Sequence, residues 1–189
     1  MKGLTRDDIR TAADYEGARE AERRHLVDVM RHRRVHLGSV LSLVFENRET
    51  VRGAVEEAVR VERIADETAI ASEVEAFNRL VPADGELSAS LYLEVSDPAL
   101  LPDRAAALSG IETAIRLSCG TETVTATANA VQTELGPPAV WQLRFPVSAP
   151  QREAWLAGGD VLIAVDHPAC QAETVLTAEQ REALAADLR

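Results

Sequence analysis

Aromatic side chains are scarce here: three Phe, two Trp and two Tyr in 189 residues. With Tyr15 and Tyr92 the only tyrosines, no row of rings is on hand to stack unpaired bases. Cysteine is nearly absent as well. Cys119 and Cys170 are too few and too far apart for a disulfide framework or a Cys-x-x-Cys zinc site, so the expectation is a cytoplasmic protein with both thiols reduced. No apolar run reaches the roughly 18 residues of a membrane span, and the N-terminus carries no apolar leader. A P-loop, a G-x-G-x-x-G turn, a G-x-S-x-G elbow and an H-E-x-x-H pair are all missing. The net charge of -11 argues against general nucleic-acid binding and favours solubility. That charge is unevenly spread, because residues 23–36 hold five Arg against the single Asp28.

The stretch from Arg34 to Glu67 organises the rest. A short apolar strand meets a polar corner at Glu46-Asn47-Arg48, and a long helix dense in Arg and Glu follows. At about 100° per residue, Val51, Ala54, Val55, Ala58, Val59, Ala65 and Ala69 share one arc, with Arg52, Glu56, Arg60, Arg63 and Glu67 on the opposite, solvated side. Glu62 falls about 20° from Val51, inside the apolar arc. A carboxylate there must be paired, metal-bound or neutralised, and an Arg from the preceding basic segment is the simplest partner.

Along the chain, Thr5 with Asp7 and Asp8 marks a helix start, and a second helix runs from about Asp14 or Glu20 to Arg33. Pro82-Ala83-Asp84-Gly85 is a break, after which strands are expected at Leu87–Val95, Ile111–Leu117, Glu122–Ala128, Val140–Val147 (opened by Pro137-Pro138) and Val161–Val165. Short helices fall at Leu100–Leu108 and Pro150–Leu156, and an amphipathic helix capped by Thr177 closes the chain. The connections are too short for regular crossovers. The expectation is an α+β fold in one domain. A helical part (1–80), with one long charged helix, packs on a mostly antiparallel β-sheet (81–189) with short inserted helices.

Three constellations offer chemistry. Glu22, His25, Asp28 and His32 recur every three or four residues on one helix stripe, a spacing that supplies ligands to a divalent metal ion, although five nearby Arg oppose a cation. Asp166-His167-Pro168 ends a buried strand, where His167 could serve as ligand or general base or simply cap the turn; Asp166 points to the other side. Cys170 follows with nothing in sequence to lower its pKa. The basic segment Arg23–His36 could hold an acidic partner, or neutralise Glu46, Glu56, Glu57 and Glu62 internally, which is the simpler role.

Several blocks then carry a resemblance: Leu4-Thr5-Arg6-Asp7-Asp8, Arg34-Val35-His36-Leu37-Gly38, Leu43-Val44-Phe45-Glu46-Asn47-Arg48, Val59–Ile64, Gly110-Ile111-Glu112 and Val165-Asp166-His167-Pro168-Ala169. Together they resemble a bacterial family of unknown function over nearly the whole chain. Genes of that family often lie beside those for rubrerythrin and an iron–sulfur oxidoreductase, which implies a redox or peroxide-stress setting. The resemblance transfers no catalytic residue, and where it leads one to expect an aromatic side chain after Asp-His-Pro-Ala, Cys170 stands. Three readings remain open. The chain is an accessory or adaptor protein docking on a redox partner, rubrerythrin or the iron–sulfur oxidoreductase. Alternatively it is a metal-binding protein or metal-dependent enzyme combining His167 with Glu62, Glu56, Asp166 and the His25/His32 stripe. The third is a small-ligand binder using Arg60 or Arg63 to hold a carboxylate. A homodimer through the long helix fits any of them.

Overall fold

The computed structural model describes residues 2–129 and 140–189; the expected Pro137-Pro138 turn lies outside them. An N-terminal arm with a 3-10 turn at Arg6–Asp8 leads into α1 (Ala12–Arg31), the hairpin β1 (Arg34–Leu37) and β2 (Leu41–Glu46), α2 (Arg48–Val61), α3 (Glu67–Asn78) and β3 (Glu86–Leu93). There follow α4 (Leu101–Ala107), β4 (Ile115–Cys119), β5 (Glu122–Thr125), β6 (Thr127–Asn129), β7 (Val140–Pro146), α5 (Ala149–Leu156), β8 (Val161–His167), β9 (Cys170–Val175) and α6 (Ala178–Ala185). The fold is α+β, with two antiparallel sheets in place of the one expected, ordered β1-β2-β3-β7-β6 and β5-β4-β8-β9.

Alternation builds the space between the sheets. Leu41, Leu43 and Phe45 of β2, Leu87, Ala89 and Leu91 of β3, and Leu143 and Phe145 of β7 are buried in one cluster with Leu117 of β4 and Ile163 of β8. Phe45 and Phe145 meet as tilted rings 5.9 Å apart. The chain passes from one sheet to the other at Ala126, between β5 and β6, where its N–H donates to Ile115 O at 2.8 Å. At the opposite edge the Thr174 hydroxyl donates to His36 O at 2.7 Å, tying β9 to β1. Trp155 of α5 and Leu184 of α6 bury against the same cluster. β9 was not legible in sequence: Cys-Gln-Ala-Glu-Thr-Val has little apolar content and sits at a sheet edge, half exposed.

A second apolar cluster belongs to the helices. Leu4 and Ile9 of the arm, Val51, Val55 and Val59 of α2, and Ile70 and Val74 of α3 close on one another. The arm is clasped from α3: Asn78 Oδ1 accepts from Leu4 N at 2.7 Å and its Nδ2 donates to Leu4 O at 2.9 Å. Thr5 is a helix-start residue as expected, its N–H donating to the Asp8 carboxylate at 2.7 Å. One long helix, however, does not form. α2 ends at Val61, Arg63 turns the chain in the left-handed region (φ 56°), and Ile64 N donates back to Val59 O at 2.9 Å. Asp66 then caps α3, accepting from Ala69 N at 2.9 Å. With no Gly or Pro between Val61 and Asp66, the break left only that cap as its sequence signal.

Glycine space sets a test of this packing. After α5 the chain turns at Gly158 (φ 89°), and a Cβ on Gly159 would lie 2.8 Å from Ala154 O. Gly17, inside α1, would place its Cβ in open space. Gly159→Ala is expected to destabilise the protein by about 1–3 kcal/mol, and Gly17→Ala to stabilise it by roughly 0.5–1 kcal/mol, both read from denaturant midpoints.

Candidate functional site

The buried carboxylate of α2 is Glu56, not Glu62. Glu62 is an exposed cap residue at the C-terminal end of α2, so the expectation of acid inside the apolar arc fails at that position. Glu56, assigned from rotation alone to the solvated side, has a side chain with no exposed surface. The reason is a second cover on α2. Val51, Val55 and Val59 face one partner layer while Gly53 and Glu56 face α1 and the N-terminal arm. The Arg10 guanidinium clamps Glu56 bidentately (Nε–Oε1 2.9 Å, Nη2–Oε2 2.6 Å), and Arg10 N donates to Oε1 at 3.1 Å. Arg10 also lies over the Tyr15 ring, 5.2 Å from its centroid. Hydrogen bonding to Glu56, and then the Glu56 charge, hold Arg10 well above the ordinary guanidinium range.

α1 and α2 run antiparallel and are joined by a ladder of charge. Arg19 meets Glu57 at 3.1 Å, Glu22 meets Arg52 at 2.6 Å, and His25 Nε2 lies 2.6 Å from Glu49 Oε1. The α1 series rises as the α2 series falls, 19–22–25 against 57–52–49. Hydrogen bonds from Arg60 and then Arg19 hold the Glu57 carboxyl down at about 2. The Glu49 contact raises the His25 imidazole above its usual range. Within the span of the ladder, Leu26 lies so close to Gly53 that a Cβ there would clash with Leu26 Cδ1. Between the helices is a groove of about 300 Å³, lined by Tyr15, Leu26, Val27, Met30 and Ala54 with Arg19, Arg23 and Glu57 at its rim. Val27 is 54% exposed, and Arg23 makes no ion pair among the described residues.

Placed side by side, the expected sites separate. Glu22 and His25 do share a face of α1, but Glu22 is occupied by Arg52 and Arg10 and His25 by Glu49, while Asp28 pairs with Arg31 and His32 is exposed. His167 caps the β8–β9 turn. Its Nδ1 accepts from Ala169 N at 3.2 Å and its Nε2 donates to Ser109 O at 3.1 Å. Asp166 points the other way, to Arg116 at 3.1 Å. Arg60 serves Glu57 at 2.7 Å, and Arg63 turns the chain after α2. Among the described residues no three His, Cys, Asp or Glu side chains gather in a metal-holding group. The basic segment does not neutralise Glu56, Glu57 or Glu62 as expected. Arg33 is buried against Asp187, whose carboxyl is pushed up by burial against the pull of Arg33, and Arg34 goes to Glu94 at 2.9 Å. Burial also raises both thiols, Cys119 and Cys170.

Sequence reasoning missed Arg10, Arg19 and Glu49 as partners. The one available signal was their three- and four-residue spacing, which predicts faces but not which helix lies opposite.

The depressed Glu57 carboxyl gives the ladder a pH signature. A folded-state value below the unfolded one contributes stability above the unfolded pKa and loses it as pH falls toward the folded value. Denaturant midpoints are therefore expected to fall between about pH 4.5 and 2, the ordinary and depressed Glu57 values. Glu57→Gln is expected to flatten part of that slope, leaving the part due to Asp8, which backbone and Arg48 contacts also hold at about 2.

Comparison with known proteins agrees with this architecture. A crystal structure of a protein of unknown function from Burkholderia pseudomallei superposes with a TM-score of 0.93 at 30% identity, over 100% of both chains. No protein with a curated description matches the chain. Among the described residues, no helix is long and apolar enough to cross a membrane. The family model described as "Protein of unknown function (DUF3501)" matches residues 3–188, and the chain belongs to that family.

Proposed function

We propose that this chain is an accessory, non-catalytic docking protein that receives a partner on the α1–α2 groove. The observation that carries the reading is the state of α1: twenty residues long, with Tyr15 its one fully buried side chain, it borders an open apolar groove. Charged contacts fix α1 in place, so Leu26, Val27 and Met30 are free to offer apolar surface without loosening the helix. Arg23, unpaired among the described residues, supplies positive charge at the rim of an otherwise acidic chain. A partner helix with an apolar anchor and an acidic neighbour fits such a groove. The resemblance supplies the candidates, rubrerythrin or an iron–sulfur oxidoreductase in a cytoplasmic peroxide-stress setting. A second copy of the chain is the competing occupant.

Titration calorimetry of the chain against purified rubrerythrin and the iron–sulfur oxidoreductase of the same organism tests the reading, with sedimentation of the chain alone to detect a dimer. Saturable binding is expected, weakened roughly tenfold or more by Val27→Asp and by Arg23→Glu. Heat release unaffected by both substitutions, or none with either partner, overturns it.

A further inference from the structure

The outward face of β2 and β3 holds buried polar side chains beside Val44, where a covered sheet face is ordinarily apolar. Ser42, Ser88 and Ser90 are all buried on it, and so is Glu46, 7% exposed. Both Glu46 oxygens accept from neutral hydroxyls: Oε2 from Thr50 Oγ1 at 2.6 Å and Oε1 from Ser90 Oγ at 2.7 Å. No ion pair reaches this carboxylate among the described residues. The two adjacent arginines are committed elsewhere. Arg33 donates to Asp187 and to the backbone carbonyls of Phe45 and Glu46, and Arg34 to Glu94 and the Ser42 hydroxyl. A buried carboxylate is normally matched by positive charge.

The second anomaly lies one strand further on. Gln142 stands directly opposite Ser90 in the β3–β7 register. Its Oε1 is buried and, among the described residues, is the side-chain oxygen without a hydrogen-bond partner. An orphaned acceptor of this kind is costly unless something donates to it. Carboxylate, hydroxyl and amide oxygen thus form a row across three neighbouring strands, short of positive charge at one end and of a donor at the other. Gln142 and Tyr92 are both only partly buried, so the row lies close beneath the surface. Burial and then the Glu46 charge raise the Tyr92 phenol, against the opposing pull of a Ser90 hydrogen bond.

We propose that the Glu46–Ser90–Gln142 row binds the ammonium head of a small amine. An ammonium carries three N–H donors and one positive charge, which matches three oxygens in a row that includes an uncompensated carboxylate. A water molecule supplies only two donors and no charge. The site is separate from the α1–α2 groove and does not depend on what binds there.

Thermal unfolding of the full chain in methylammonium chloride, compared with sodium and potassium chloride at equal ionic strength, is the test. The expected result is a saturable rise in Tm with methylammonium alone, roughly 3–6 °C at about ten times Kd. Gln142→Met, which keeps length and removes the acceptor at a partly exposed position, is expected to abolish the rise, as is Glu46→Gln. If Glu46→Gln does not fold, Gln142→Met decides. Equal Tm in all three salts, an equal rise with sodium or potassium, or an undiminished rise in Gln142→Met overturns the proposal. So does an atomic-resolution structure from methylammonium in which water alone fills the row or the Gln142 amide is reversed to donate to Ser90.

Discussion

A carboxylate with no exposed surface, Glu56, governs how the helical layer is assembled. Removing a carboxylate from water is costly, and only a close, well-directed counter-charge offsets it. Arg10 provides that charge in bidentate form and adds its own backbone N–H. Satisfying Glu56 therefore fixes the path of the N-terminal arm over α2 and brings Tyr15 and α1 down beside it. A hydrophobic contact in the same place would be indifferent to rotation and sliding. The forked guanidinium is not.

Because charge does the anchoring, α1 need not hide its apolar residues. The sheets and the α2–α3 layer each have an apolar cluster of their own. α1 lies outside both, joined to α2 by the Arg19–Glu57, Glu22–Arg52 and His25–Glu49 contacts. Most of these are half exposed and each is individually weak, but in series they define register along the helix. That arrangement leaves a formed, accessible groove, the property a docking surface needs. The same separation of labour recurs at Glu46, where the first turn of α2 meets the sheet through hydroxyls and not through packed side chains.

Much of the fold is legible in the sequence because its signals are local. Asn47 stands just before the α2 pattern and does cap it, accepting from the N–H groups of Glu49 and Thr50. Thr177 caps α6 in the same way, and the alternation from Leu87 to Leu93 gives β3 and its buried face. The site is less legible because its logic is long-range. Helical rotation sorts Glu56 with the exposed residues and Glu62 with the apolar ones. Both assignments fail, the first because α1 covers a second face of α2 and the second because the chain leaves the helix at Val61. Glu22 and His25 share one face of α1, but a stripe of ligand-type residues reads the same whether a metal or an arginine stands opposite. The partner of Glu56 is Arg10, forty-six positions away in sequence, and no spacing rule connects them.

Amide hydrogen exchange on Glu56→Gln addresses the central claim directly. If the Glu56–Arg10 contact holds the helical layer in place, α1 amides lose protection in the variant while those of β2, β3 and β7 keep theirs. Unchanged protection along α1, or an equal loss through helices and sheets alike, would contradict an electrostatic anchor at Glu56.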